Sequence, residues 1–456
     1  LLYATNTVGA VGGTVVAGFM LLPALGLAGT VYVGVAINFL VFLIAAAIAK
    51  AVAREAEATA AADKHEPAVE STTSVAMPGR SWALPIMLLS GANSFIYEVL
   101  WTRLLGHILG GSITAFATML ASFLGGIAIG SAVASRFAKT KTAALNGFII
   151  VQCGIAAASI AIYQFLPLAI PEQVGLKGNV LLAIAILLPA TLFIGATFPL
   201  AVKIFARDET DAAPASARVY SWNTVGAIVG ATLAAFILIP ALKYEGAIHL
   251  AVAVNVALAL AAALLIGTRR MVPVGITAAL MLAAVFVYRP EMPTEILRTS
   301  PVMDESEGEI RYYEVGRSAT VLVLEESGFF NLRTNGLPEA STNLKGAPPY
   351  QHNQRLLSAL PILARPDTEE MLIVGFGAGA TLEGVPPSVK RIDVVELEPE
   401  VIEANRSMSE ERQIDPLADP RVHVYINDAR SALSLTGKNY DAIVSQPSHP
   451  WTAGAS

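Results

Sequence analysis

The sequence predicts a polytopic α-helical membrane unit with an internal repeat, followed by a small β-domain and an incomplete Rossmann-like α/β domain. Three observations carry this reading. Hydrophobic residues make up 54% and charged residues 14% of the 456, with a mean hydropathy of +0.58, against about 45–50% and about 25% in a soluble domain. The surplus lies between Leu1 and Tyr288, and charge, proline and strand-like alternation return from Arg289. A segment near the start recurs 217 residues later, as YATNTVGAVGG from Tyr3 and YSWNTVGAIVG from Tyr220. Towards the end, a glycine turn after an apolar run is followed by acidic residues closing a second and a third strand-like run.

Apolar runs of the roughly 20 residues that a membrane helix needs fall near 5–25, 28–49, 82–106, 112–135, 143–166, 180–205, 220–242, 247–267 and 272–288. The stretch 51–80 contains Arg54, Glu55, Glu57, Asp63, Lys64, Glu66 and Pro67, is too polar for lipid, and reads as an exposed linker. The expected organisation is therefore 1–50 as the last two helices of a first membrane repeat, 51–80 as linker, and 81–290 as the second repeat with one further hydrophobic segment. A β-domain over 301–345 and a partial α/β domain over 350–456 complete it. The repeat continues as FMLLPALGLAG from Phe19 against FILIPALKYEG from Phe236, and the pairs Asn6/Asn223, Gly9/Gly226 and Pro23/Pro240 are not what lipid solubility alone selects. Duplication is the better reading. Four helices precede the repeated segment in the second unit and only Leu1 and Leu2 precede it in the first, so roughly 130 residues are expected to be missing at the start.

The helix from Trp82 carries SGANSFIYEVLWTRLLGHILG, which places Asn93, Tyr97, Glu98 and Arg103 inside a membrane span. Burying an ionised side chain there costs about 2.5–3.5 kcal/mol on insertion scales, so partners are expected nearby. Asn93 and Tyr97, Glu98 and Thr102, and Arg103 and His107 are spaced to share a helix face. A polar path or substrate site is one reading; an interhelical structural network, or Arg103 snorkelling at the helix end, is the other. Gly125, Gly126, Gly130, Gly226 and Gly230 suggest close helix packing. Basic residues at Lys50, Arg54, Lys64, Arg80, Arg136, Lys139, Lys141, Lys203, Arg207, Arg218, Arg269 and Arg270 all return to one side, which the positive-inside rule makes cytoplasmic. If 272–288 spans the bilayer, the tail emerges on the opposite side, away from cytosolic adenosyl donors; either that segment lies along the interface or re-enters, or the tail faces outward and does not use such a donor.

In the tail, 310–334 alternates apolar and polar residues with Gly and Asn at turns, the pattern of β-hairpins. Gln354–Ala364 reads as an amphipathic helix with Leu356, Leu357, Leu360 and Leu363 on one side. A buried strand, 371–374, then opens into Gly375, Gly377 and Gly379, where missing side chains let a ligand approach the backbone. A second strand ends in Glu396, at the spacing where a carboxylate meets ribose hydroxyls in a Rossmann-like site. A third, 422–426, leads into Asn427, Asp428 and Ala429, and a fourth, 442–444, opens into SQPSHPW. The ordered series of glycines and two acids points to a nucleotide or nucleoside.

The YEVLWTR segment, the repeated NTVGA segment and this tail resemble fused major-facilitator-type/spermidine synthase proteins over most of the chain. The resemblance implies a class I methyltransferase-type fold in which Glu396 holds the ribose, Asp428 the adenine amine, and Gln354 the nucleoside. The substrate implied is decarboxylated S-adenosylmethionine or S-adenosylmethionine, with a polyamine as acceptor. Two positions depart from the family. Its GGGDG turn has an aspartate where this chain has Ala378, and its DSSDP segment aligns with Gln446 and His449. A glutamine can hydrogen-bond the attacking amine but cannot accept its proton; His449, between Ser448 and Pro450, is either a replacement base or a loop residue. The family sheet continues past its fourth strand, so truncation is expected at the C-terminal end too, with the fourth strand an unpaired edge.

The net charge of -6 excludes a basic nucleic-acid footprint. The single cysteine, Cys153, excludes a disulfide framework within one chain, and the six histidines lack metal-ligand spacing, so no metal is expected. The expected setting is a bacterial-type plasma membrane, with the bilayer, a small nucleoside and a polyamine as partners and a homo-oligomer left open. Three functions compete: an aminopropyltransferase with altered catalytic positions, a transporter or sensor with a non-catalytic nucleoside-binding tail, and an S-adenosylmethionine-dependent methyltransferase.

Overall fold

The computed structural model describes residues 2–62, 79–169, 176–208, 210–266, 283, 285, 287, 289–299, 308–347 and 353–446. Among the described residues the first unit contains the helices α1 (Leu2–Val16), α2 (Leu22–Ala62), α3 (Ala83–Leu109), α4 (Ile113–Phe137), α5 (Lys141–Phe165), α6 (Leu176–Phe205), α7 (Ala212–Leu233) and α8 (Ile239–Ala261). Six helical stretches among the described residues are long and apolar enough to cross a membrane. Two of these, of 52 and 55 residues, exceed the roughly 20 that one crossing needs, and each is broken by one residue of left-handed backbone. In the first it is Gly26 at φ 66°, ψ -177°; in the second it is Lys243 at φ 56°, ψ -171°. Each kink therefore divides a pair of the helices expected from the sequence.

The duplication extends to backbone geometry. A π-helical turn joins α1 to α2 at Ala17–Leu21, and another joins α7 to α8 at Ala234–Leu238. Both the π turns and the kinks recur at the 217-residue offset of the sequence repeat. Tyr3 and Tyr220, repeat mates, meet the same ring, Phe198, the first stacked at 4.4 Å and the second edge-on at 6.2 Å.

Helix pairs approach closely at glycine. A Cβ at Gly226 would collide with the Leu88 carbonyl, one at Gly230 with that of Ala92, and one at Gly130 with that of Leu192, while Gly126 faces Thr191. Gly125 and Gly9 have nothing within 4 Å, so Gly125 takes no part in this packing. The polar stretch expected to be linker departs from that expectation at its start, because α2 runs on to Ala62; its alanine-rich, charged sequence favours helix even where it is too polar for lipid. Residues 63–78 of the expected linker, and the hydrophobic segment 272–288 apart from 283, 285 and 287, lie outside the described residues.

Four antiparallel strands follow: β1 (Glu309–Val315), β2 (Thr320–Glu326), β3 (Phe329–Thr334) and β4 (Leu337–Asn343), ordered β1-β2-β3-β4. The β2 run Val321–Leu324 is buried on both faces. Val321 and Val323 join the core of the α/β domain, and Leu322 and Leu324 pack with Leu297 on the other face. This sheet is sandwiched, which explains an apolar run where half-burial would give alternation.

The α/β domain contains parallel strands β5 (Glu370–Val374), β6 (Arg391–Glu396), β7 (Val422–Ile426) and β8 (Ala442–Ser445), ordered β7-β6-β5-β8. No described strand lies beyond β8. The helix Gln354–Ala364 buries Ser358 and Ile362, while Leu356, Leu360 and Leu363 are exposed, Leu363 at 76%. Of the expected leucines only Leu357 packs on the core, and the Ser358 hydroxyl donates to the Thr381 carbonyl in the short helix Ala380–Glu383 at 2.6 Å.

The glycine contacts predict that Gly226→Val destabilises the helical unit by about 1–3 kcal/mol, the usual cost of overpacking, and lowers its melting midpoint in detergent. Its repeat mate Gly9→Val should leave the midpoint unchanged. Equal effects would contradict the packing described.

Candidate functional site

The four parallel strands end on one side of the sheet, and the strand order reverses between β5 and β8. Ligands of open α/β sheets bind at such switch points. A cavity of about 550 Å³ opens there, within the usual range for small-molecule sites. Gln354, Gly375, Gly377, Glu396, Asp428, Ala429 and Gln446 all line it.

Glu396, only 8% exposed, is held by two main-chain amides. Its Oε2 accepts from Phe376 N–H at 2.8 Å and its Oε1 from Glu398 N–H at 2.9 Å. The carboxylate thereby ties the glycine turn after β5 to the chain leaving β6, and each oxygen keeps lone-pair capacity for a further donor. Asp428 caps the helix Ala429–Leu435, its Oδ1 accepting from Ser431 N–H at 2.8 Å. That amide, aided by the Ser431 hydroxyl, holds the Asp428 carboxyl below the usual range.

The glycines divide. Gly375, at φ 85°, has nothing within 4 Å of where a Cβ would stand, so the cavity reaches bare backbone. Gly379, expected at the ligand, is instead a packing position: its Cβ would lie 2.7 Å from Pro416 Cγ, and it does not line the cavity. Gln446 lines the cavity beyond β8, and His449 lies outside the described residues.

Sequence reasoning missed the residues beneath the turn. The Gly377 carbonyl accepts from Asn405 Nδ2 at 2.7 Å and the Ala378 carbonyl from Arg412 Nη2 at 2.6 Å. Arg412 is buried, and its Nη1 donates to Asn405 Oδ1 at 2.8 Å. Nη2 lies 3.3 Å from Glu383 Oε1, whose Oε2 takes Arg355 at 2.5 Å. An arginine in the charged run EERQ gives no sequence signal of burial. Glu398 was also missed. It lines the cavity, and its Oε2 accepts from the N–H groups of Ser318 and Ala319 at 2.7 and 2.9 Å.

The polar residues of α3 do not form one site. Asn93, 1% exposed, donates to the Ala251 carbonyl at 2.9 Å and to Asn255 Oδ1 at 2.7 Å. Asn255 continues the chain to Gln152 at 2.6 Å, and Gln152 to Ser90 at 3.1 Å. The Tyr97 hydroxyl is buried against that of Ser159, and no ion pair joins Glu98 to Arg103 among the described residues. Arg103 instead donates to the carbonyls of Gly316 and Arg317 in the β1–β2 turn. Ten residues of helix put Asn93 and Arg103 about 15 Å apart along α3, in different neighbourhoods.

Residues 351–456 match the Spermine/spermidine synthase domain family. Among curated proteins, the polyamine aminopropyltransferase of Synechococcus sp. (strain JA-3-3Ab) is 41% identical over 86 residues, 18% of this chain and 28% of that protein. Polyamine aminopropyltransferase 2 of Streptomyces coelicolor is 25% identical over 389 residues, 82% of this chain and 68% of that protein. A solved spermidine synthase, in complex with the transition-state analogue AdoDATO, is similar at 22% identity and a TM-score of 0.27, covering 32% of this chain and 48% of its own. The chain thus spans under a third of the first of these relatives and just over two thirds of the second.

Arg412→Leu should destabilise the domain by about 3–5 kcal/mol, the cost of leaving a buried partner uncompensated, as read by denaturant unfolding; a loss below about 1 kcal/mol would show that Arg412 does not hold the turn. A second prediction concerns Glu400. Its Oε2 and Glu398 Oε1 are buried without partners beside Gly316, an arrangement that one shared proton satisfies. Burial and the hydrogen bond with Glu398 push the Glu400 carboxyl up to about 7. The folded chain then holds a proton that the unfolded chain releases near 4.3. Stability from this group is present at low pH and lost as pH rises from about 4.3 through about 7. Glu400→Gln should flatten the fall in melting midpoint between about pH 5 and about pH 8; an unchanged slope would contradict the shared proton.

Proposed function

We propose that this chain is a multi-pass membrane protein whose C-terminal α/β domain binds an adenosyl thioether nucleoside, decarboxylated S-adenosylmethionine or S-adenosylmethionine. The observation that carries the reading is Glu396, fixed by two amides at the edge of a cavity that also exposes Gly375 and Asp428. Glu396 accepts the ribose hydroxyls, Asp428 the adenine amine, and the bare turn at Gly375 and Gly377 admits the thioether chain. Polyamine aminopropyl transfer is the reaction class that the matched domain suggests.

In that reaction a neutral amine attacks the carbon beside a sulfonium, so an acceptor ammonium must first lose its proton. The cavity is poor in groups for this. Ala378 is buried in the apolar core with no side chain at the cavity. Gln446 lines the cavity, and an amide accepts hydrogen bonds without accepting the proton. Glu398 has Oε2 occupied by two amides and Oε1 turned into the protein. The candidates left are Glu339, which lines the cavity with one carboxylate oxygen accepting from the Thr334 hydroxyl, and His449, so the described groups are better equipped to bind than to deprotonate. This imbalance favours a second reading, a sensor or transporter whose tail binds the nucleoside without turnover.

Membrane embedding is supported by the six apolar helical stretches and the 217-residue repeat, which fits the resemblance to major-facilitator-type chains. One end of the bundle gathers Arg80, which donates to the Phe205 carbonyl at 3.1 Å, and Lys141, which donates to that of Arg207 at 2.8 Å. The other end bears Arg103, His107 and Lys243 and meets the β-sheet. The positive-inside rule then puts the basic end in the cytoplasm and the cavity on the opposite side of the bilayer. In intact cells, with Cys153→Ser as background, Lys390→Cys should react with an impermeant thiol reagent and Lys139→Cys should not. Labelling of Lys139→Cys alone would reverse the sidedness.

Calorimetry tests the site itself. Methylthioadenosine, S-adenosylmethionine and its decarboxylated form should bind, and Glu396→Ala should weaken binding about tenfold to a hundredfold, since hydrogen bonds to a charged group are worth about 1.5–3 kcal/mol. No heat with any of the three, on a folded protein, would remove the nucleoside reading. Robust spermidine production from putrescine by the unaltered protein would overturn the prediction of weak turnover.

A further inference from the structure

The turn between β1 and β2, Gly316–Ala319, is gripped from two sides. From the helical unit, Arg103 donates Nη1 to the Gly316 carbonyl at 3.0 Å and Nη2 to that of Arg317. From the α/β domain, Glu398 accepts the amides of the next two residues, Ser318 and Ala319. Two carbonyls and then two amides are thus consumed by one guanidinium and one carboxylate. Ser318, Ala319 and Glu398 all line the cavity.

The surrounding contacts reinforce this grip. Thr320, next in the chain, meets His107 Nε2 at 3.2 Å and the Tyr244 hydroxyl at 2.8 Å. Lys243 donates to the Tyr313 carbonyl at 3.1 Å and pairs with Glu314 at 2.9 Å. Lys243 does so from a positive φ that costs a non-glycine residue of its kind, whereas the repeat mate at the same kink, Gly26, avoids that cost. Strain retained at one copy of a duplicated kink is explained by what the lysine holds.

We propose that Arg103 is a positioning residue for the nucleoside cavity: by fixing the Gly316 and Arg317 carbonyls it sets the turn that Glu398 binds, and so couples the helical unit to the cavity wall. The ligand half of this rests on the nucleoside reading above; the mechanical half does not. Movement of the end of α3 relative to α8 changes the wall, and by linkage a ligand pressing on the wall biases the helices by an equal free energy.

The test uses the full chain in detergent or nanodiscs with two readouts. Hydrogen–deuterium exchange of peptides covering the β1–β2 turn follows the Ser318 and Ala319 amides without any ligand, and calorimetry follows methylthioadenosine. Arg103→Gln should speed exchange at the turn and weaken methylthioadenosine about tenfold, within the usual span of coupling between sites. Exchange in β3 and the melting midpoint should stay as in the unaltered protein. Arg103→Lys, which keeps the charge and a donor, should recover part of both effects, and Lys243→Gly should loosen β1. Turn amides that exchange at the unaltered rate in Arg103→Gln would overturn the proposal, as would a global loss of protection that Arg103→Lys does not relieve. If the unaltered protein binds no methylthioadenosine, the nucleoside reading fails, and the exchange data alone decide whether Arg103 frames the wall.

Discussion

The site depends on how one glycine turn is held. Residues 375–379 have too few side chains to fix themselves, and the protein supplies the missing constraints from both faces. On the cavity face Glu396 takes the Phe376 amide; on the inner face Asn405 and Arg412 take the carbonyls of Gly377 and Ala378. A buried guanidinium is costly unless its donors are used, and Arg412 places its two Nη atoms on Asn405, Ala378 and Glu383. Bare backbone at Gly375 is possible at the cavity because the rest of the turn is tied.

The helical unit solves a related problem by duplication. Two copies of a helix, π turn and left-handed kink recur at a fixed offset, with Gly26 at one kink and Lys243 at the other. Gly226 and Gly230 admit the backbone of α3. Gly26 became or remained a free kink, while Lys243 at the matching kink reaches the β-sheet. The second copy thus both packs against α3 and docks on the β-sheet.

Much of this was legible in the sequence. Hydrophobic length, the repeat and the succession of a glycine turn with acids on the next two strands are local signals, and Glu396, Asp428, Gln354 and Gln446 do line one cavity. The misreadings arose where tertiary contact overrides local pattern. Gly379 looks like its neighbours in sequence yet packs on Pro416. Of the leucines of Gln354–Ala364 only Leu357 packs on the core, beside the buried Ser358 and Ile362. Arg103 and Asn93 share a helix and no neighbourhood, since Arg103 finds its acceptors more than two hundred residues away in the chain. Glu398 was visible as a second acid after β6, but nothing local distinguishes a carboxylate that binds a distant turn from one in solvent.

The central claim, that the strand ends form an adenosyl nucleoside site framed by Glu396, is tested most directly by an experimental structure of the chain with methylthioadenosine. The account predicts both ribose hydroxyls within hydrogen-bond distance of the Glu396 carboxylate, the adenine amine at Asp428, and the thioether over Gly375 and Gly377. Ligand density elsewhere, or a ribose turned away from Glu396, would contradict it.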